Sequence, residues 1–99
     1  MAVVYPYGQI IEDTFLTTDF AGVAANPTAT TFYLITPAGV RTDYVFGTAA
    51  ELTRPATGTT VFAGVPLEES GDWLWGWHAE GAIGTSREGV WVVGNTNLP

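Results

Sequence analysis

The segment Asp72-Trp73-Leu74-Trp75-Gly76-Trp77-His78-Ala79 constrains this chain more than any other. Successive side chains of a β-strand point to opposite faces. A strand here sets Trp73, Trp75 and Trp77 on one side and Leu74, Gly76 and His78 on the other. Indoles bury about 150–250 Å² each, so three on one face supply much of a small core. That face needs a second layer to cover it.

The rest of the chain agrees. Gly and Pro punctuate it at short intervals, with β-branched and aromatic residues between them. That is the signature of an antiparallel sandwich or barrel. Expected strands are Gln9–Thr17, Thr30–Thr36, Val40–Phe46, Glu51–Arg54, Thr60–Pro66, Trp73–Glu80 and Arg87–Val93, with a weaker one in Ala2–Tyr5. Pro37-Ala38-Gly39 has turn composition, so the strands on either side of it form a hairpin. Turns are also expected at Gly47–Ala50, Pro55–Gly58, Glu68–Gly71 and Gly81–Gly84, and a loop at Asp19–Thr28. Helical character is confined to one turn at Thr48–Leu52. The expectation is an all-β, immunoglobulin-like antiparallel β-sandwich of about seven strands.

With 99 residues there is room for one domain and one core. Residues 1–8 read as an N-terminal arm or edge strand and residues 94–99 as a frayed tail. The chain has no Cys, which excludes disulfides and Cys-based zinc sites. Pro6, Tyr7, Gly8 and Gln9 interrupt any apolar run of a secretory leader. No stretch approaches the roughly 18–20 apolar residues of a membrane span. Synthesis in a cytoplasm is the expectation.

Ten acidic residues face three Arg and no Lys, for a net charge of −7. Nucleic acid and anionic lipid are bound through basic residues, so neither is an expected partner. The acidity serves solubility or matches a basic partner surface.

Assigning faces strand by strand gives a core of Phe32, Leu34, Val61, Val65, Trp73 and Trp77. Tyr33, Ile35, Phe62 and Leu74 are then apolar residues left on outer faces, with Gly76 beside them. A free antiparallel sheet alternates apolar-in with polar-out. These five residues are therefore the expected protein-contact positions, weighed against ordinary scattered surface hydrophobes.

The titratable residues offer little chemistry. The single His, His78, has no positioned partner in the sequence. Ser70 and Ser86 lie in turn-like segments without the context of a nucleophile. Glu12, Asp13 and Asp19 match no calcium loop. The glycines sit singly, not in a phosphate-binding run. No catalytic residue, metal or cofactor is expected. A row of indoles can also stack sugars, which makes a carbohydrate-binding module the alternative from another class. Its discriminator is an exposed Trp75 or Trp91.

Residues 30–93 carry Pro37-Ala38-Gly39, Arg54-Pro55-Ala56-Thr57-Gly58, Gly71-Asp72-Trp73-Leu74-Trp75-Gly76-Trp77 and Arg87-Glu88-Gly89-Val90-Trp91-Val92-Val93. In this order the motifs resemble those of small immunoglobulin-like structural proteins of tailed bacteriophages. The chain departs from that pattern at Leu74 and Gly76, where polar or basic residues are the rule. The resemblance implies a virion protein without an active site. A capsid decoration (cement) protein is the lead expectation; a head–tail junction or tail accessory protein is the alternative. It implies the major capsid protein or other virion proteins as partners, location in the virion, and an oligomeric state left open between monomer and homo-oligomer.

Overall fold

A computed structural model of the chain describes residues 4–81, 83–84 and 88–94. Among these residues nine strands form two sheets. They are β1 (Val4–Tyr5), β2 (Asp13–Thr18), β3 (Ala29–Ile35), β4 (Arg41–Val45), β5 (Leu52–Ala56), β6 (Thr59–Phe62), β7 (Gly71–Glu80), β8 (Ile83–Gly84) and β9 (Glu88–Val93). One sheet runs β1-β9-β7-β3-β4 and the other β5-β6-β2-β8. Only β1 against β9 is parallel. β9, β7 and β3 adjoin in one sheet and β5, β6 and β2 in the other. That is the immunoglobulin-like strand order, with β4 added at an edge. The expected seven strands are the seven longer ones, and β1 and β8 have two residues each.

The boundaries moved where turn chemistry competes with pairing. β2 starts at Asp13, well after Gln9, and only an isolated Ile10–Pro66 bridge precedes it. β5 continues through Pro55 to Ala56, across a register shift between Thr53 and Ala56. β5 is an edge strand, where a residue without an N–H is tolerated. The expected helical turn at Thr48–Leu52 is not formed: the chain turns through residues 48–51 and Leu52 opens β5. Ile83 and Gly84, expected in a turn, extend the smaller sheet by pairing with Thr18 and Thr17. The expected tail beyond Gly94, Arg87 at the head of the last strand, and residues 1–3 of the arm lie outside the described residues.

The core fills the space between the sheets. Phe32, Leu34, Trp73, Trp75, Trp77, Trp91 and Val93 face inward from one sheet. Phe15, Leu52 and Phe62 meet them from the other, and Ile11 and Leu67, on two segments joined by the Ile10–Pro66 bridge, complete the cluster. Phe32 stacks on Phe62 at 4.0 Å between ring centroids, and Phe15 stacks on Trp77 at 5.1 Å. Burying indoles also buries their N–H groups, which need acceptors. Trp73 Nε1 donates to the Glu69 carbonyl at 2.9 Å, and Trp77 Nε1 donates across the sandwich to Asp13 Oδ2 at 2.7 Å.

β6 corrects the expected faces. Phe62, expected as a contact residue, is fully buried at 0% exposure. Val61, expected in the core, is half-buried and shares a face with Thr14 and Thr53. The expectation counted Val61, Ala63 and Val65 as three apolar residues on one face. The strand ends at Phe62, so Ala63 and Val65 fall outside its alternation and Val65 only packs half-buried at the core's margin. A one-residue slip exchanges the faces of a strand, and one phenyl outweighs one valine.

Arg54 ties the two sheets together. Its Nη2 donates to Thr30 Oγ1 of β3 at 3.1 Å and to Thr60 Oγ1 of β6 at 3.1 Å. Its Nε donates to Thr60 Oγ1 at 3.2 Å, and the guanidinium lies 3.9 Å from the Phe46 ring centroid. Partial burial pushes its pKa down from the usual arginine value.

Candidate functional site

Cross-strand partners share a face, so the pairing register of the larger sheet maps its outer surface. One row across the sheet reads Arg41, Ile35, Leu74, Val90. The next reads Asp43, Tyr33, Gly76, Glu88. On one side Asp72 pairs with Val92; on the other Thr31 lies between Val45 and His78. Ile35 is half-buried, Leu74 is 43% exposed and Val90 is 49% exposed. Together they form an apolar strip across three neighbouring strands.

Two glycines shape this region, Gly76 on the outer face and Gly89 opposite the inward-facing Trp75. Gly76 lies under the Tyr33 ring: a Cβ there would fall 2.3 Å from Tyr33 Cε2. The ring therefore lies flat over the glycine, an aromatic cover for a side-chain-free position. Its hydroxyl reaches Glu88 Oε2 at 3.4 Å. The Arg41 guanidinium sits 4.5 Å from the ring centroid and is paired with Asp43 at 2.9 Å. Gly89 makes room for the Trp75 indole, which a Cβ would approach to 3.0 Å. The result is an open groove of about 420 Å³ lined by Tyr33, Ile35, Leu74, Trp75, Glu88, Gly89 and Val90.

Of the five expected contact residues, Tyr33, Ile35 and Leu74 therefore come together on one surface. Phe62 belongs to the core instead. Gly76 is buried beneath Tyr33, so it sets the ring's position and offers no contact itself. Val90 was missed because it was read only as the alternate of Trp91. Its pairing with Leu74 is the signal that joins it to the strip.

The outer face of the smaller sheet is different. Thr14, Thr18, Thr53 and Thr59 dominate it, with Leu16 and Val61 among them. It is the ordinary polar outside of a sandwich, and the apolar character is concentrated on the larger sheet.

Charge around the strip leans acidic, with three carboxylates to the one exposed guanidinium of Arg41. Asp72, Asp43 and Glu88 surround it, all exposed. Arg41 is committed to Asp43 and Tyr33, while Arg54 is committed to Thr30 and Thr60. The remaining exposed charge of the described surface is carboxylate.

The other polar candidates have local work. His78 is exposed on the outer face, beside Thr31. Ser70 Oγ donates to the Gly94 carbonyl at 3.0 Å. Asp13 accepts from Trp77, and Asp19 Oδ1 accepts from the backbone of its own turn. Ser86 lies outside the described residues. Among the described residues, no cluster of three or more His, Cys, Asp and Glu side chains is arranged to hold a metal ion. All four indoles are buried, including Trp75 and Trp91, so they present no exposed stacking platform. Among the described residues no helix is long and apolar enough to cross a membrane.

Comparison with protein-family models, with curated proteins and with solved structures finds no match for this chain.

Proposed function

We propose that this protein is a non-enzymatic binding module that docks on a protein surface through the outer face of its larger sheet. The observation that carries this reading is the Ile35–Leu74–Val90 strip, apolar on a sheet face that an isolated domain keeps polar and edged by Asp72, Glu88 and the Arg41–Asp43 pair. Apolar centres with polar rims are the anatomy of protein interfaces. The rim selects a partner carrying Lys or Arg around an apolar surface. Face-to-face pairing of two copies would oppose carboxylate to carboxylate.

The resemblance of residues 30–93 to small structural proteins of tailed bacteriophages supplies the setting. The proposed partner is the major capsid protein of an assembled shell, and the role is decoration that strengthens the shell across subunit seams. A symmetric shell multiplies each contact over many copies. A place at the head–tail junction or on the tail uses the same contact chemistry.

Mixing the purified protein with preformed capsids and, separately, with tails, then sedimenting, tests this reading. Saturable co-sedimentation with capsids is expected. Recovery of all the protein in both supernatants would overturn the virion role.

A further inference from the structure

The segment between β2 and β3 begins with a small hairpin of its own. Thr18 bridges Ala24. Within that bridge, Asp19 N donates to the Val23 carbonyl at 2.9 Å and Gly22 N donates to the Asp19 carbonyl at 3.1 Å. Asp19 Oδ1 accepts from Ala21 N at 2.8 Å and from Val23 N at 3.0 Å. Gly22 has φ +81°, the left-handed conformation that closes such a turn. Asp at the first position and Gly at the fourth are the residues this turn favours.

Nothing in the turn selects the residue at the second position, where most side chains fit. Phe20 occupies the second position and is 97% exposed, the most exposed of the large hydrophobic residues described. Val23, at the foot of the turn, is 60% exposed. Four hydrogen bonds hold this turn, so the ring projects from a fixed base. Asp19 and Gly22 account for the closed turn, and the aromatic at its tip contributes none of its hydrogen bonds. The ring therefore has no role inside the domain, and with Val23 it makes an apolar tip on a rigid support.

We propose that Phe20 is a peg that plugs an apolar, basic-edged socket on a protein neighbour. This contact is separate from the sheet face. The inference rests on the shell-docking reading and deepens it, because bridging two subunits needs two contact sites on one domain. Phe20 sits at the tip of the connection between the two sheets, whereas the Ile35–Leu74–Val90 strip lies across the middle strands of the larger one.

The occupant follows from charge. Asp19, exposed, adjoins Phe20 at the tip. A chain of net charge −7 is repelled by anionic lipid and by a second copy of itself. A socket edged by Lys or Arg accepts both the ring and the Asp19 carboxylate. The preset turn leaves little loop entropy to lose on docking.

The test titrates preformed capsids with wild type, Phe20→Ser and Phe20→Trp, reading bound protein after sedimentation. Phe20→Ser is expected to weaken binding about ten- to a hundredfold, the range that burial of one phenyl supplies. Its melting temperature should stay at the wild-type value, because the ring makes no part of the core. Phe20→Trp, which restores an aromatic, should recover most of the affinity. Equal binding by wild type and Phe20→Ser overturns the peg while leaving the sheet-face reading intact. Wild type that sediments with neither capsids nor tails overturns both. Two parallel measurements use the same proteins. Phe20-dependent binding to phosphatidylglycerol or phosphatidylcholine vesicles would overturn the protein socket in favour of lipid. A Phe20-dependent dimer in analytical ultracentrifugation would overturn it in favour of a second copy.

Discussion

Replacing Arg54 by Met keeps the aliphatic stem and removes the guanidinium that joins the two sheets. Thr30 and Thr60 are buried, and each loses a charge-assisted partner. Leaving a buried polar group without such a partner costs about 1–1.5 kcal/mol at the lower end of the measured range. Loss of the guanidinium over the Phe46 ring, 3.9 Å from its centroid, adds about 1 kcal/mol at a partly buried position. The sum is about 3–4 kcal/mol, a large share of the roughly 5–15 kcal/mol that holds a domain folded. For a domain of this size each kcal/mol moves Tm by roughly 4–8 °C. Thermal unfolding followed by circular dichroism should therefore show a fall of about 12–30 °C for Arg54→Met. Arg54→Lys keeps the charge but not the fork that spans two hydroxyls, and should lie between. An Arg54→Met variant melting within about 4 °C of wild type would refute the clasp and the reasoning behind it.

Three further outcomes follow from particular contacts. Phe62→Ala should cost about 3–5 kcal/mol in urea unfolding, and Val61→Ala less than about 1 kcal/mol, because only Phe62 faces the core; the reverse order would restore the sequence-based faces. Gly58→Ala places a Cβ 2.5 Å from the Thr17 carbonyl oxygen at φ +74°, so it should cost at least about 2 kcal/mol, and a variant as stable as wild type would contradict that geometry. Tyr44 has its pKa raised above the ordinary 10.0, first by burial and then by the Glu51 carboxylate. The folded state thus holds the phenol proton more tightly than the unfolded chain. That stability is full below pH 10 and is lost as pH rises through the higher folded value. Denaturant titrations should show stability falling above pH 10, with a smaller fall in Tyr44→Phe; identical profiles for the two proteins would contradict it.

Much of the sandwich could be read from period-two patterning, because a strand buried on one face prints its register into the sequence. Trp73, Trp75 and Trp77 fixed the inner face of β7. Pro37-Ala38-Gly39 fixed the β3–β4 hairpin, whose register runs from Ile35–Arg41 to Thr31–Val45. β6 could not be read this way. Only four residues pair, and the apolar residues just past its end imitated a longer strand. β8 was missed for a related reason: two residues carry no period at all.

The site was legible in part. Tyr33, Ile35 and Leu74 stood out as apolar residues without a core to join. Their assembly into one strip with Val90 depends on how β3, β7 and β9 pair, which is a long-range property. Gly76 was noticed as the place where a polar side chain is absent. Its physical role, a seat for the Tyr33 ring, appears only when the neighbouring strand is laid beside it. Arg54 was seen as part of a turn motif, while its partners Thr30 and Thr60 sit on different sheets.

The central claim is that the outer face of the larger sheet is a docking surface, and paired measurements on the Ile35→Ser/Leu74→Ser double variant test it most directly. Capsid titration should show binding weakened more than tenfold, while the melting temperature falls by no more than about 5 °C, since Leu74 is 43% exposed and Ile35 lies on the outer face. Capsid binding equal to that of wild type, with the fold intact, would contradict the claim.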